Sequence, residues 1–184
     1  MKEYFTNKIV NYILKYHDGN MDILRYGCEG LVIIITKTVF IFITAGILNS
    51  IDKTIMLILL FAMIRLPAFG LHLKNSFACL IVSVILFALI PFYLQYLNIN
   101  TNTKLLLNLT SFICIILYAP ADTYKRPIYH RKVYKALSII SAIILIIISK
   151  TNILALYALI LEAILINPIT YFLLKLPYGN YERR

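Results

Sequence analysis

Six runs of apolar residues limit what this chain can fold into more than any motif in it: Leu31 to Leu48, Thr54 to Phe69, Phe77 to Leu97, Leu105 to Ala119, Ala136 to Ser149 and Ile153 to Leu174. A helix needs about 20 apolar residues to cross a hydrocarbon core about 30 Å thick. The second, fourth and fifth runs fall short of that. They borrow flanking Tyr, Lys and Thr, tilt into locally thin bilayer, or enter without crossing. With 61% hydrophobic residues and a mean hydropathy of +0.83, the chain is too apolar for an ordinary soluble domain, so lipid is its solvent. The expected fold is all-α and polytopic, with about six transmembrane segments. No internal repeat, Ser-rich linker or low-complexity tail divides the 184 residues into more than one domain.

The first 28 residues differ from the remaining 29–184. Phe5, Ile9, Ile13 and Tyr16 recur at near-helical spacing, while Lys2, Lys8 and Lys15 can face headgroups. That pattern predicts an interfacial amphipathic helix. It is not a cleavable signal peptide, because no compact apolar core and small-residue cleavage site follow its charges. Such a helix either packs beneath the bundle or offers a landing surface to a second amphipathic helix.

Eighteen Lys and Arg stand against eight Asp and Glu, a formal charge of +10. With the amino terminus inside, Lys53, Lys104 and Lys150 are left outside and Lys37 lies within a span, while every other Lys and Arg falls on the inner side. This asymmetry is the positive-inside pattern, and it predicts that both termini face the cytoplasm. Basic residues spread among separate loops do not form a nucleic-acid stripe. Pro91 and Pro168 lie within apolar runs and predict kinks, tolerated where a neighbour satisfies the freed carbonyl.

Chemistry concentrates between the second and third runs, in Arg65-Leu-Pro-Ala-Phe-Gly-Leu-His-Leu-Lys-Asn-Ser-Phe-Ala-Cys79. A thiol needs a base to act as a nucleophile near neutral pH, and imidazole is the usual one, so His72 and Cys79 form the candidate catalytic pair. On one unbroken helix their spacing would separate them by about 10 Å of rise, beyond proton-transfer reach. Pro67, Gly70 and a cap at Asn75 or Ser76 supply a break. With Ser76 as the cap, Cys79 sits in the first turn of the next helix, where free amide hydrogens and the helix dipole favour a thiolate. The competing reading makes Cys79 a small buried apolar side chain and His72 an interfacial histidine. Cys28 and Cys114 are read as packing residues, and His17 and His130 as headgroup-facing. Three irregularly spaced cysteines imply neither a disulfide framework nor a zinc site, so no metal or cofactor is expected. No His-Glu-x-x-His helix, Gly-x-Ser-x-Gly elbow or phosphate-binding loop is present.

Arg65, Gly70, His72 and Cys79 together resemble the catalytic stretch of the accessory gene regulator B (AgrB) family. A second match, Tyr118-Ala-Pro-Ala-Asp122-Thr123 followed by a basic pair and Pro127, resembles that family's loop between two apolar segments. Chain length and the order of apolar runs agree as well. Phe69 departs from the pattern, standing where the family often has a second glycine. The resemblance implies a membrane-embedded cysteine endopeptidase of the bacterial cell membrane that processes a quorum-sensing propeptide and acts as a homodimer. Such a precursor carries an amphipathic leader and an acidic C-terminal tail. Arg65 and Gly70 would then shape the catalytic loop, and Lys125 and Arg126 would hold the acidic tail, although positive-inside topology already explains that basic loop. Asp122 either orients the imidazole as the third member of a triad or shapes the turn after Pro120.

A small transporter, a substrate-binding membrane subunit and a noncatalytic scaffold are the alternatives. They rest on Lys37 and Glu162, ionisable groups inside apolar runs, where charges are expensive and usually paired. The plain expectation is that these two neutralise each other, or that Lys37 snorkels to the inner surface.

Overall fold

The computed structural model describes residues 21–71, 75–121 and 130–174. Among them there is no β-strand. The apolar runs become α1 (Met21–Ile47), α2 (Ile51–Ala68), α3 (Ser76–Leu94), α4 (Thr101–Tyr118), α5 (Arg131–Ser149), α6 (Ile153–Ile166) and α7 (Pro168–Leu173). The chain is an all-α polytopic membrane protein. Four stretches are long and apolar enough to cross a bilayer: Gly30–Ile47 within α1, and the whole of α3, α4 and α5. Leucines and isoleucines such as Leu31, Leu59, Leu105 and Ile147 point outward, as expected when the surroundings are lipid.

Helix α6 is shorter and lies at the centre. Leu154, Ala155, Leu156, Ala158, Leu159, Leu161, Glu162, Ala163 and Ile166 are all buried. Ala155, Leu159 and Ile166 pack with Ile64 and Ala68 of α2, Ile115 of α4, and Ala142 and Leu145 of α5. A smaller cluster joins Ile41 and Ala45 of α1 to Ala88 of α3, with Ile58, Val84 and Phe87 against it.

Cross-helix contacts set the direction of each element. At one end Leu71 N–H donates to the Leu165 carbonyl, and Ala121 N–H to the Ala68 carbonyl, at 3.2 and 2.9 Å. At the other end Asn108 Nδ2 donates to Ser149 Oγ at 2.9 Å, and Lys53 Nζ to Gln95 Oε1. Helices α1 to α6 therefore alternate in direction. The α2–α3 and α4–α5 connections share one end of the bundle.

The two prolines act differently. Pro91 sits in the first turn of the last helical piece of α3, after a π-helical turn over Ile85–Leu89. Ile90 N–H reaches back to the Ile85 carbonyl. In that register the Leu86 carbonyl would next take an amide hydrogen from residue 91, which proline lacks. Tyr157 Oη of α6 donates to it instead, at 3.3 Å. A neighbour thus satisfies the freed carbonyl, as expected for a proline within a membrane helix. Pro168 interrupts its run outright. The residue before a proline is pushed to extended angles, and Asn167 adopts φ −70, ψ 129, ends α6 and caps α7 by accepting from Ile169 N–H. The sixth run is consequently two helices.

Candidate catalytic site between two helix termini

The stretch that joins α2 to α3 is built around Arg65. Pro67 lies within the last turn of α2, where the helix is about to stop, and the chain leaves the helix at Phe69. From inside α2 the guanidinium reaches forward over the connection. Its Nη1 donates to the Phe69 carbonyl at 2.8 Å, and its Nη2 to the Leu71 carbonyl at 2.7 Å. Nη1 also meets Glu162 Oε2 of α6 at 3.2 Å, with the carboxylate fully buried. The planar fork serves two carbonyls and a carboxylate together, which a lysine in its place would not. This pairing corrects one expectation. Glu162 is neutralised by Arg65, not by Lys37, because helical packing turns α6 toward α2.

Gly70 is held against the same group. Its φ of +127 is a region that side chains rarely adopt, and a Cβ there would come within 2.2 Å of Arg65 Nη1. The preceding Phe69 also has a positive φ, 57, with ψ −148. Two successive residues with positive φ turn the chain sharply at the end of α2, and Leu71 emerges with its N–H and C=O both fixed. His72 is the next residue. It lies outside the described residues, as do Lys74, Asp122, Lys125 and Arg126. The residue before Asp122, Ala121, is anchored to Ala68, and Phe69 and Ala121 form an isolated parallel bridge. The Phe69 ring meets Tyr134 of α5 edge-on, 5.2 Å between centroids. Both connections that hold candidate residues are thereby tied to the end of α2.

Helix α3 starts three residues before Cys79 and is capped by Asn75, whose side chain accepts from Phe77 N–H at 3.0 Å and Ala78 N–H at 3.5 Å. The cap is therefore Asn75, with Ser76 the first helical residue. Cys79 N–H makes the first intrahelical bond, to the Asn75 carbonyl at 2.9 Å. The thiol is half-buried and free of any disulfide. Its sulfur accepts from Lys37 Nζ of α1 at 2.9 Å. Spacing alone could not reveal this contact, because the two residues are 42 positions apart. Lys37 was legible only as an intramembrane charge that needed a partner. Cys114 in α4 is likewise half-buried and free of any disulfide, and Cys28 is buried. No cluster of three or more His, Cys, Asp or Glu suited to a metal occurs among the described residues.

Arg65, Gly70 and Cys79 thus occupy one end of the bundle, in a turn where side-chain type and backbone angle are mutually dependent. Across residues 6–174 the chain matches the family model for accessory gene regulator B. The chain belongs to the AgrB family. It is 32% identical over 171 residues to an AgrB-like protein of Listeria monocytogenes serovar 1/2a, covering 87% of this chain and 83% of that one. It is 34% identical over 155 residues to accessory gene regulator protein B of Staphylococcus epidermidis, covering 80% of each. No solved structure matches it.

Proposed function

We propose that this AgrB-family chain is a membrane-embedded cysteine endopeptidase that removes the C-terminal tail of a quorum-sensing propeptide. The observation that carries the reading is the placement of Cys79 in the first turn of a capped helix, at the same end of the bundle as a turn whose carbonyls Arg65 holds and where Gly70 has a positive φ. In that first turn the positive end of the helix dipole favours negative charge on sulfur. His72 is assigned as the base. It takes the thiol proton, and the sulfur attacks a carbonyl of the precursor. The C–N bond breaks, the new amine accepts the proton back from the imidazolium, and a thioester links the precursor to Cys79.

The precursor's own cysteine then gives its proton to His72 and attacks the thioester carbonyl, closing a thiolactone ring and returning Cys79 as thiolate. One thioester replaces another, so the step is nearly neutral in bond energy and water must be kept away if cyclisation is to outrun hydrolysis. A nucleophile between helices at the bilayer surface suits that requirement. Lys125 and Arg126 are assigned to the acidic tail, Asp122 to orienting His72, and, of the first 28 residues, those that precede α1, 1–20, which lie outside the described residues, to an interfacial helix beneath the bundle. The enzyme is assigned to the bacterial cell membrane as a homodimer, with its termini and catalytic pair at the cytoplasmic face. It needs no cofactor. Transport has less to stand on, since the intramembrane Glu162 is engaged by Arg65 within the chain.

The deciding experiment is Cys79→Ala expressed in membranes with a precursor that has an internal cysteine and an acidic tail. Cleavage is expected to vanish while insertion and abundance stay at the level of the unmodified protein. Cleavage that persists would sink the peptidase reading.

A further inference from the structure

We infer that Lys37 is a further catalytic residue, an intramembrane ammonium that holds the Cys79 sulfur in its anionic form and receives it again each time it leaves as thiolate. The inference rests on the reading of Cys79 as the nucleophile and adds to it a group from a different helix. Four observations carry it. Lys37 Nζ donates to Cys79 Sγ at 2.9 Å, so the ammonium touches the reacting atom itself. The contact is built into the packing, because α1 and α3 run parallel and meet again further along, where Ile41 and Ala45 pack with Ala88 and Val84. A chance approach of one flexible side chain would not be followed by matching apolar contacts further along both helices.

The expected acidic partner is also committed elsewhere. Glu162 is paired with Arg65, so Glu162 does not cancel the charge of Lys37 beside the sulfur. The neighbouring hydroxyls do not serve it either. Thr36 and Thr38 turn back onto the carbonyls of Val32 and Ile34 in their own helix. A lysine in an apolar run that needed only a polar surrounding would extend toward the headgroups. This one is directed at a thiol on the first turn of α3. There the ammonium and the helix terminus act on the sulfur with the same sign, in surroundings where charge interactions are stronger than in water.

In this role Lys37 transfers no proton. In the first step, with the proton that left sulfur standing on His72, the S–C bond forms and the carbonyl electron pair moves onto oxygen. Collapse breaks the C–N bond, and the proton on His72 leaves with the amine. As a thioester the sulfur is uncharged and the ammonium has lost its anionic partner. In the second step the precursor thiol gives its proton to the now neutral His72 and its sulfur forms a new C–S bond, the bond to Cys79 breaks, and the electron pair stays on the departing sulfur, opposite Lys37. The ammonium thus favours Cys79 as the leaving group, and tips a nearly balanced exchange toward ring closure.

The test uses the full chain in membrane vesicles, with iodoacetamide as the probe and peptide-resolved mass spectrometry as the readout. Lys37→Met is expected to slow alkylation of Cys79 at neutral pH by about tenfold or more. Lys37→Arg, which keeps the cation, is expected to stay within about threefold of the unmodified protein. Cys114 serves as the internal reference and should label at one rate in all three. Incubated with precursor, Lys37→Met should also shift the products from ring toward hydrolysed linear peptide. Alkylation of Cys79 at an unchanged rate in Lys37→Met overturns the inference. So does a fall in Lys37→Arg equal to that in Lys37→Met, or a parallel change at Cys114. Labelling needs no precursor, so its outcome is separate from the peptidase reading, which stands or falls on cleavage by Cys79→Ala.

Discussion

Phe69 follows α2 with backbone angles that favour glycine, and the backbone shows what a side chain there costs. At φ 57 and ψ −148 a side chain is strained, and glycine is the residue that adopts such angles freely. The ring recovers part of the cost by meeting Tyr134 edge-on, an arrangement worth about 0.5–1.5 kcal/mol. The usual rank of glycine below alanine is therefore expected to invert here. Phe69→Gly loses the ring and releases the strain, so its stability should stay within about 1 kcal/mol of the unmodified protein. Phe69→Ala loses the ring and keeps the strain, and should fall by about 2 kcal/mol. Thermal unfolding of both variants in one detergent checks the order, and alanine ranking above glycine would refute the strain argument. Gly70 was legible as a helix breaker from its type alone. That Arg65 is what a Cβ would strike was not, because the clash arises only when the guanidinium folds forward onto the turn.

Helix boundaries follow local chemistry, and for that reason most of them could be read in advance. Asn75 and Ser76 were equal candidates to cap α3, and the amide of Asn75 prevails because it reaches two N–H groups at once. Pro168 was read as a kink, yet the extended Asn167 that a following proline demands leaves no continuous helix to bend. Pro91 is held in a continuing helix only because Tyr157 supplies the missing donor from α6, a partner that no local pattern could name. The cap carries the functional weight, since Cys79 makes the first intrahelical bond behind it. Asn75→Ala is expected to cost about 1 kcal/mol and to lower precursor cleavage by loosening the turn that presents the sulfur. Asn75→Ser keeps an acceptor oxygen and should restore most of both. Cleavage unaffected by Asn75→Ala would mean that the first turn of α3 is fixed by its neighbours and not by its cap.

For the molecule as a whole, apolar runs and the distribution of lysines and arginines were enough to give an alternating helical bundle, because both are additive properties of the chain. The contacts that make one end of the bundle a site were hidden. Arg65 meets Glu162 across 97 positions and Lys37 meets Cys79 across 42, and neither separation has a period that a sequence can display. The alternation makes a strict prediction about sides. Asn100 precedes α4 and His130 precedes α5, so they lie at opposite ends of the bundle, with His130 at the end that holds Cys79 and Arg65. The positive-inside pattern predicts that this end faces the cytoplasm. In a background with the native cysteines replaced, Asn100→Cys should react with a membrane-impermeant maleimide in intact cells, while His130→Cys should react only after the cells are opened. Labelling of both from outside would break the alternating topology. The opposite assignment would place the nucleophile where a precursor made in the cytoplasm does not reach it, and cleavage would then have to follow export of the peptide.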